Sequence, residues 1–84
     1  MPYIHKEDRT LQKTVSPSTA GELNYGIHQM IANFIENTGE SYQTYNDIIG
    51  VLSCAQMELY RRKIAPYEDS KIISNGDCEP YLTT

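Results

Sequence analysis

The residues of this chain best suited to bind a ligand are three adjacent cations, Arg61, Arg62 and Lys63, which are flanked by Tyr60 and Tyr67. A guanidinium offers a planar fork of N–H donors to a phosphate, and a tyrosine ring stacks on a nucleotide base. Cations in the last turn of a helix also complement the helix dipole without binding any ligand. The pattern therefore indicates either a site for a phosphate-bearing ligand or a set of cations that stabilises a helix end.

A ligand site built on these cations is predicted where the end of their helix meets the N-terminal arm, with Arg61 or Arg62 as its anchor. Tyr3 in the arm and Arg9 just after it are also assigned to this site. Glu58 is the one acid a single turn before the cations, and it is expected to pair well with only one of them. At least one guanidinium should therefore be free for a ligand.

Catalysis and metal binding have little support in the residue types present. A thiolate nucleophile needs a nearby base, and the available set is Cys54 with His28 or His5. Cys54 lies in an apolar helical segment, where a thiol stays neutral and packs as a small hydrophobe. The other potential ligands, Asp47 and Cys78, complete no recognised metal-binding spacing with the histidines. The prediction is a noncatalytic protein without a metal or cofactor.

Length and composition favour a single small domain, residues 1–77, that needs a partner. A chain of 84 residues buries only about 60% of its unfolded surface, and domains of this size usually rely on disulfides, a metal or a second subunit. The formal charge of −4 argues against a general nucleic-acid binder. No apolar leader precedes the domain, and the longest uncharged run, 48–57, is about half of a membrane span. A cytoplasmic location, with free thiols and no membrane contact, is expected.

Capping signals and turn residues divide the chain into helices. Thr19 and Glu22 form a capping box, Gly39 suits a helix C-terminus, and Pro66 is placed to begin a new helix. The predicted elements are an arm (1–6), a short helix (7–13), two long helices (20–37 and 42–65), a C-terminal helix (66–75) and a flexible tail (78–84).

The two long predicted helices each carry an apolar stripe. The first stripe is Leu23, Ile27, Met30, Ile31, Phe34 and Ile35, and the second is Tyr45, Ile48, Leu52, Ala55 and Leu59. Both follow helical spacing, and only a short turn separates the helices, so they are expected to pack antiparallel. The predicted fold class is all-α: a small helical bundle built on an antiparallel helix hairpin, with an N-terminal arm and a short C-terminal helix.

The second long helix has more apolar surface than one neighbour can cover. Ile49, Val51, Cys54 and Met57 project away from its stripe. A helix that is apolar nearly all round is normally buried all round. The short first helix and the arm are one way to cover this surface, and a second copy of the chain is the favoured way because it also stabilises a small core. A homodimer or higher homo-oligomer, with these four residues at its interface, is predicted.

Several sequence segments carry a resemblance to a known family. They are "MPYI" and "EDR" near the start, "GELNY" at 21–25, "SYQTYNDIIGVL" at 41–52, "CAQMELYRRKIAPYED" at 54–69 and "NGD" at 75–77. The chain resembles small proteins of unknown function found in tailed bacteriophages, prophages and bacteria, and it departs from them mainly at 10–19 and after residue 77.

The resemblance implies an accessory protein that acts by binding. The expected role is to sequester or block a host target, either a protein or a phosphate-bearing small molecule, as in evasion of host defence. The alternative is a small nucleic-acid-associated regulator that uses Arg61, Arg62 and Lys63 on phosphates.

Overall fold

The computed structural model describes residues 4–82, and within this range all regular structure is helical. Its helices are α1 (Leu11–Val15), α2 (Ala20–Thr38), α3 (Tyr42–Leu59) and α4 (Ala65–Asn75), with a π-helical turn at Tyr60–Ile64 and 3-10 turns at Lys6–Asp8 and Glu79–Tyr81. The predicted all-α class, with two long helices connected by a short glycine-containing turn, is confirmed.

The segment before α2 differs from the single helix predicted over 7–13. A 3-10 turn ends at Asp8, and α1 begins only at Leu11. Arg9 interrupts the helix because its backbone (φ −88°, ψ 57°) lies outside the helical region. The Nε of Arg9 donates a hydrogen bond to the carbonyl oxygen of Ile4 at 2.9 Å, and this bond stabilises the interruption.

Two side chains fix the start of α2. The Oγ1 of Thr19 accepts the backbone N–H of Glu22 at 3.1 Å, as the capping box predicts. The Glu22 carboxylate, however, accepts the N–H and the hydroxyl of Ser18, at 2.9 and 3.1 Å, where the capping box predicts the N–H of Thr19. Ser18 offers two donors to one oxygen, so the reciprocal bond moves one residue towards the N-terminus.

Helix α1 packs on α2 where α2 has a glycine. Gly26 is buried, and a Cβ atom added to it would lie 3.0 Å from the carbonyl oxygen of Thr14. The absence of a side chain at Gly26 therefore allows the backbones of the two helices to approach closely.

A local hydrogen-bond network forms the turn between α2 and α3. Gly39 has φ 87°, which L-residues with a Cβ rarely adopt, and its N–H bonds the carbonyl of Ile35 at 2.7 Å. Ser41 caps α3 by accepting the N–H of Thr44 at 3.0 Å. The hydroxyl of Thr44, which is buried, donates to the carbonyl of Gly39 at 2.9 Å. These bonds explain why both helix ends lie within one residue of the predicted bounds.

The predicted boundary between helices at 65 and 66 was wrong. Helix α3 continues through the π-helical turn into α4 without a break, and the N–H of Ala65 bonds the carbonyl of Tyr60. Pro66 has no N–H to donate, and in a regular α-helix its ring clashes with the carbonyl four residues earlier. The wider π-helical turn just before Pro66 accommodates the proline, so the helix does not end there.

The chain divides into two compact units, one ending at Ile48 and the other beginning at Ile49. Among residues 4–82, no hydrophobic side chain is buried. The α2 stripe is partly open, with Met30 74% exposed, and Leu52 and Leu59 on α3 are exposed as well. The stripes expected to share a core therefore remain accessible on the single chain.

Candidate functional site

Both arginines of the cationic cluster are bound to one carboxylate oxygen. The Nε of Arg62 lies 2.8 Å from Oε1 of Glu58, and the Nη2 of Arg61 contacts the same oxygen. Residues three and four positions apart are neighbours on a helix surface, so one acid reaches both arginines. The expectation that at least one guanidinium lacks an acidic partner was therefore wrong. The one carboxylate balances one of the two arginine charges, and Lys63 adds a further cation.

Tyr60 reaches across the π-helical turn to Glu68. Its hydroxyl donates a hydrogen bond to Oε1 of Glu68 at 2.5 Å, eight residues further along the chain. This hydrogen bond, the negative charge of Glu68, partial desolvation and the charge of Asp69 raise the pKa of Tyr60 above its ordinary value of 10.0. The hydrogen bond ties the end of α3 to the first turn of α4.

Tyr67, the other tyrosine predicted at the site, contacts a cation of its own helix. The Nζ of Lys71 lies 5.5 Å from the centroid of the Tyr67 ring. This distance is typical of a cation–π interaction at an exposed site. One face of the ring therefore meets a protein cation, and α4 presents both side chains together.

An apolar groove lies beside the cationic cluster. Its volume is about 430 Å³, and its lining residues are Gln56, Met57, Leu59, Tyr60 and Ile64. Sequence reasoning assigned Tyr60 and Met57 to binding surfaces but did not bring these five residues together. Gln56, Tyr60 and Ile64 are spaced four residues apart, so helical spacing places them on one face.

Two residues near the N-terminus, Arg9 and Tyr3, were also predicted at the site. The guanidinium carbon of Arg9 lies 5.6 Å from the centroid of the Tyr25 ring, so Arg9 makes this contact within its own compact unit. Tyr3 lies outside the described residues. A site shared by the arm and the end of α3 stays a prediction.

The four residues predicted at an oligomer interface all lie on α3, and all are exposed. Val51 is 67% and Met57 62% exposed, and Ile49 and Cys54 are also accessible. Cys54 is therefore an accessible thiol on the single chain, whereas a packed position was expected. Their role at an interface stays a prediction.

Metal-ligating side chains do not cluster in the part of the chain that the structure describes. Between residues 4 and 82, no three His, Cys, Asp or Glu side chains are arranged to hold a metal ion. None of the helices in that range has the length and apolar character needed to cross a membrane.

One family model matches nearly the whole chain. It is described as a domain of unknown function, DUF6899, and it matches residues 1–78. No curated protein and no solved structure matches the chain. Because the family model extends from the arm through α4 and past Gly76, the chain belongs to the DUF6899 family.

Proposed function

We propose that this protein is a noncatalytic binding protein that acts as a homodimer or higher homo-oligomer. The observation that carries the proposal is that no hydrophobic side chain among residues 4–82 is buried, although the helices carry well-formed apolar stripes. Apolar side chains are ordinarily removed from water in a folded protein, and that burial is the main favourable contribution to stability. Another polypeptide is the natural source of the missing burial.

The interface within the oligomer is assigned to Ile49, Val51, Cys54 and Met57 on α3. Each is exposed, and burying an aliphatic side chain of this size contributes roughly 1.5–3 kcal/mol. The remaining apolar surface is assigned to a target protein, which the oligomer sequesters or blocks.

The biological setting in this proposal comes from the resemblance to phage and prophage proteins. The protein is a phage-type accessory factor in the cytoplasm of the host cell, and its target is a host protein, for example a component of host defence. A protein target is preferred over a phosphate-bearing small molecule because the exposed apolar side chains of the helices suit a protein surface.

Nucleic acid is the second candidate ligand, and the exposure of the cationic cluster favours it. The side chains of Arg61 and Arg62 are each 68% exposed, and Lys63 follows them. Binding to a duplex backbone falls steeply with salt, with a slope near 0.9 per phosphate contacted, whereas an apolar protein interface is far less sensitive. Titration of a labelled duplex at several salt concentrations separates the two: a steep slope supports the nucleic-acid candidate.

The experiment that tests the proposal compares Val51→Glu with Asn33→Glu by light scattering. Both changes add one carboxylate at an exposed helical position, but only Val51 lies in the assigned interface. We expect Val51→Glu to reduce the molar mass to that of a single chain and Asn33→Glu to leave the oligomer intact. Equal effects of the two substitutions, or a wild-type chain that is already monomeric, contradict the proposal.

A further inference from the structure

Charged residues of opposite sign lie on either side of Ala65, at equal separations along the sequence. Arg61 and Arg62 precede Ala65 by four and three residues, and Glu68 and Asp69 follow it by three and four. All four charged residues are exposed. When two copies of this helical segment lie antiparallel, the positive half of one copy therefore lies against the negative half of the other.

We propose that a second copy of the chain packs antiparallel across the π-helical turn, with Ala65 at the twofold axis. In this register a residue on the contacting face of the helix meets the residue equally far from Ala65 on the other side. Arg61 then lies opposite Asp69 of the second copy, and Arg62 opposite Glu68. Twofold symmetry repeats both pairs, so four interchain ion pairs form. This inference rests on the self-association proposed above and moves the centre of the contact to Ala65, so Met57 is the one residue of the four assigned to the interface that lies in the paired segment.

The intrachain contacts leave the charges for these pairs. Glu58 cancels one of the two arginine charges, which leaves Arg61 and Arg62 with a net charge of +1, and Lys63 adds a further positive charge nearby. Glu68 and Asp69 carry −2 after Ala65. The hydrogen bond from Tyr60 to Glu68 uses a neutral donor, so it does not neutralise the carboxylate. Each charged group also retains room for a partner because it lies at the surface.

The same register supplies apolar contacts. The groove residues between Gln56 and Ile64 lie opposite residues 66–74 of the second copy, and Met57 faces Ile73, which is 86% exposed. Tyr67 and Ile72 in this opposing segment are exposed as well. The groove and the apolar side chains of α4 therefore cover one another.

The length of the paired segment agrees with a stable contact. Residues 57–73 span about 25 Å of helix at 1.5 Å per residue. The apolar contacts provide the affinity, and the ion pairs select the antiparallel register.

Complementary charge reversal in the full-length chain tests this register. One variant carries Arg61→Glu and Arg62→Glu, and the other carries Glu68→Lys and Asp69→Lys. Each variant alone places like charges opposite one another, and we expect its self-association to weaken on the order of a hundredfold. An equimolar mixture restores all four pairs, so we expect a heterodimer that forms within about tenfold of the wild-type affinity. Sedimentation velocity measures both, and circular dichroism verifies that helix content is retained.

A matched pair of single substitutions sharpens the test. Arg62→Glu and Lys63→Glu make the same change in charge at adjacent positions, but Arg62 faces Glu68 in the proposed register whereas Lys63 faces the uncharged Tyr67. We expect Arg62→Glu to weaken self-association at least several-fold more than Lys63→Glu.

The outcomes separate this register from the self-association on which it rests. Charge-reversed variants that stay associated, or a mixture that does not form the heterodimer, overturn the register, and the proposed oligomer stands if Val51→Glu still dissociates it. A wild-type chain that is monomeric at micromolar concentration overturns both. The register is supported if each variant by itself associates weakly, the mixture associates as the wild type does, and both variants keep the helix content of the wild type.

Discussion

Glu58 binds two arginines through one carboxylate oxygen at the surface of α3. Exposed ion pairs contribute only about 0.2–1 kcal/mol each because water and salt screen them. The main consequence of Glu58 is therefore electrostatic, since it lowers the positive potential that Arg61 and Arg62 present to an anion. Glu58 was predicted to pair well with only one arginine, but it binds both.

Removing the Glu58 charge should increase affinity for polyanions more than it changes stability. We expect Glu58→Gln to lower the free energy of unfolding by no more than about 1 kcal/mol and to raise the salt concentration at which the protein elutes from a heparin column. Urea unfolding and column elution measure the two effects. Glu36→Gln makes the same charge change on α2 and is the control; equal elution of the two variants contradicts this role for Glu58.

The titration of Tyr60 tests its hydrogen bond to Glu68. The raised pKa of Tyr60 belongs to the folded state, so its stabilising contribution is present below pH 10 and is lost as the pH rises through the raised pKa. We expect Glu68→Gln to lower the Tyr60 pKa towards 10.0. Tyrosinate absorbance measures this when the Tyr60→Phe spectrum is subtracted to isolate Tyr60. A midpoint unaffected by Glu68→Gln means that the hydrogen bond is absent in solution.

At the scale of the elements, two helical glycines have opposite surroundings. A Cβ on Gly26 meets the carbonyl oxygen of Thr14 at 3.0 Å, whereas a Cβ on Gly50 meets nothing within 4 Å. Alanine in an unobstructed helical position stabilises by roughly 0.5–1 kcal/mol over glycine.

We therefore expect Gly50→Ala to stabilise the protein by about that amount and Gly26→Ala to be neutral or destabilising by about 1–2 kcal/mol, because strain opposes the propensity gain. Thermal unfolding followed by circular dichroism compares the two. Equal stabilisation by both substitutions is the result that excludes close α1–α2 packing at Gly26.

The π-helical turn should disappear when its cause is removed. Pro66→Ala restores a backbone N–H and eliminates the clash with the preceding turn, so a regular α-helix becomes possible through Tyr60–Ile64. Regular spacing rotates α4 relative to α3 and separates Tyr60 from Glu68. We expect the Tyr60 pKa to fall towards its ordinary value in Pro66→Ala, with no loss of helix content. A Tyr60 titration unchanged from wild type contradicts proline as the cause of the turn.

Local signals in the sequence were sufficient for some elements and misleading for others. Thr19 caps the start of α2 and Gly39 caps its end, and both caps were predicted because they depend only on neighbouring residues. Pro66 was interpreted as a helix start. A π-helical turn also relieves the clash between the proline ring and the carbonyl four residues earlier, but no residue pattern in the sequence marks such a turn. The groove between Gln56 and Ile64 was not predicted, although Gln56, Tyr60 and Ile64 are spaced four residues apart along the helix.

At the scale of the whole molecule, the lack of buried hydrophobic side chains among residues 4–82 dominates the energetics. Apolar burial must offset a conformational entropy cost of about 1–2 kcal/mol per ordered residue, and exposed stripes do not supply it. Under the proposed function, another polypeptide covers this surface. Self-association and folding are expected to be coupled, so that stability depends on protein concentration.

The molar mass and the thermal midpoint across a dilution series test that claim most directly. Light scattering should give at least twice the 9.6 kDa of one chain at micromolar concentration, and the midpoint should fall steadily on dilution because dissociation exposes the apolar surface. A mass of 9.6 kDa at every concentration, with a midpoint independent of dilution, would show that the single chain is stable alone and would contradict the account.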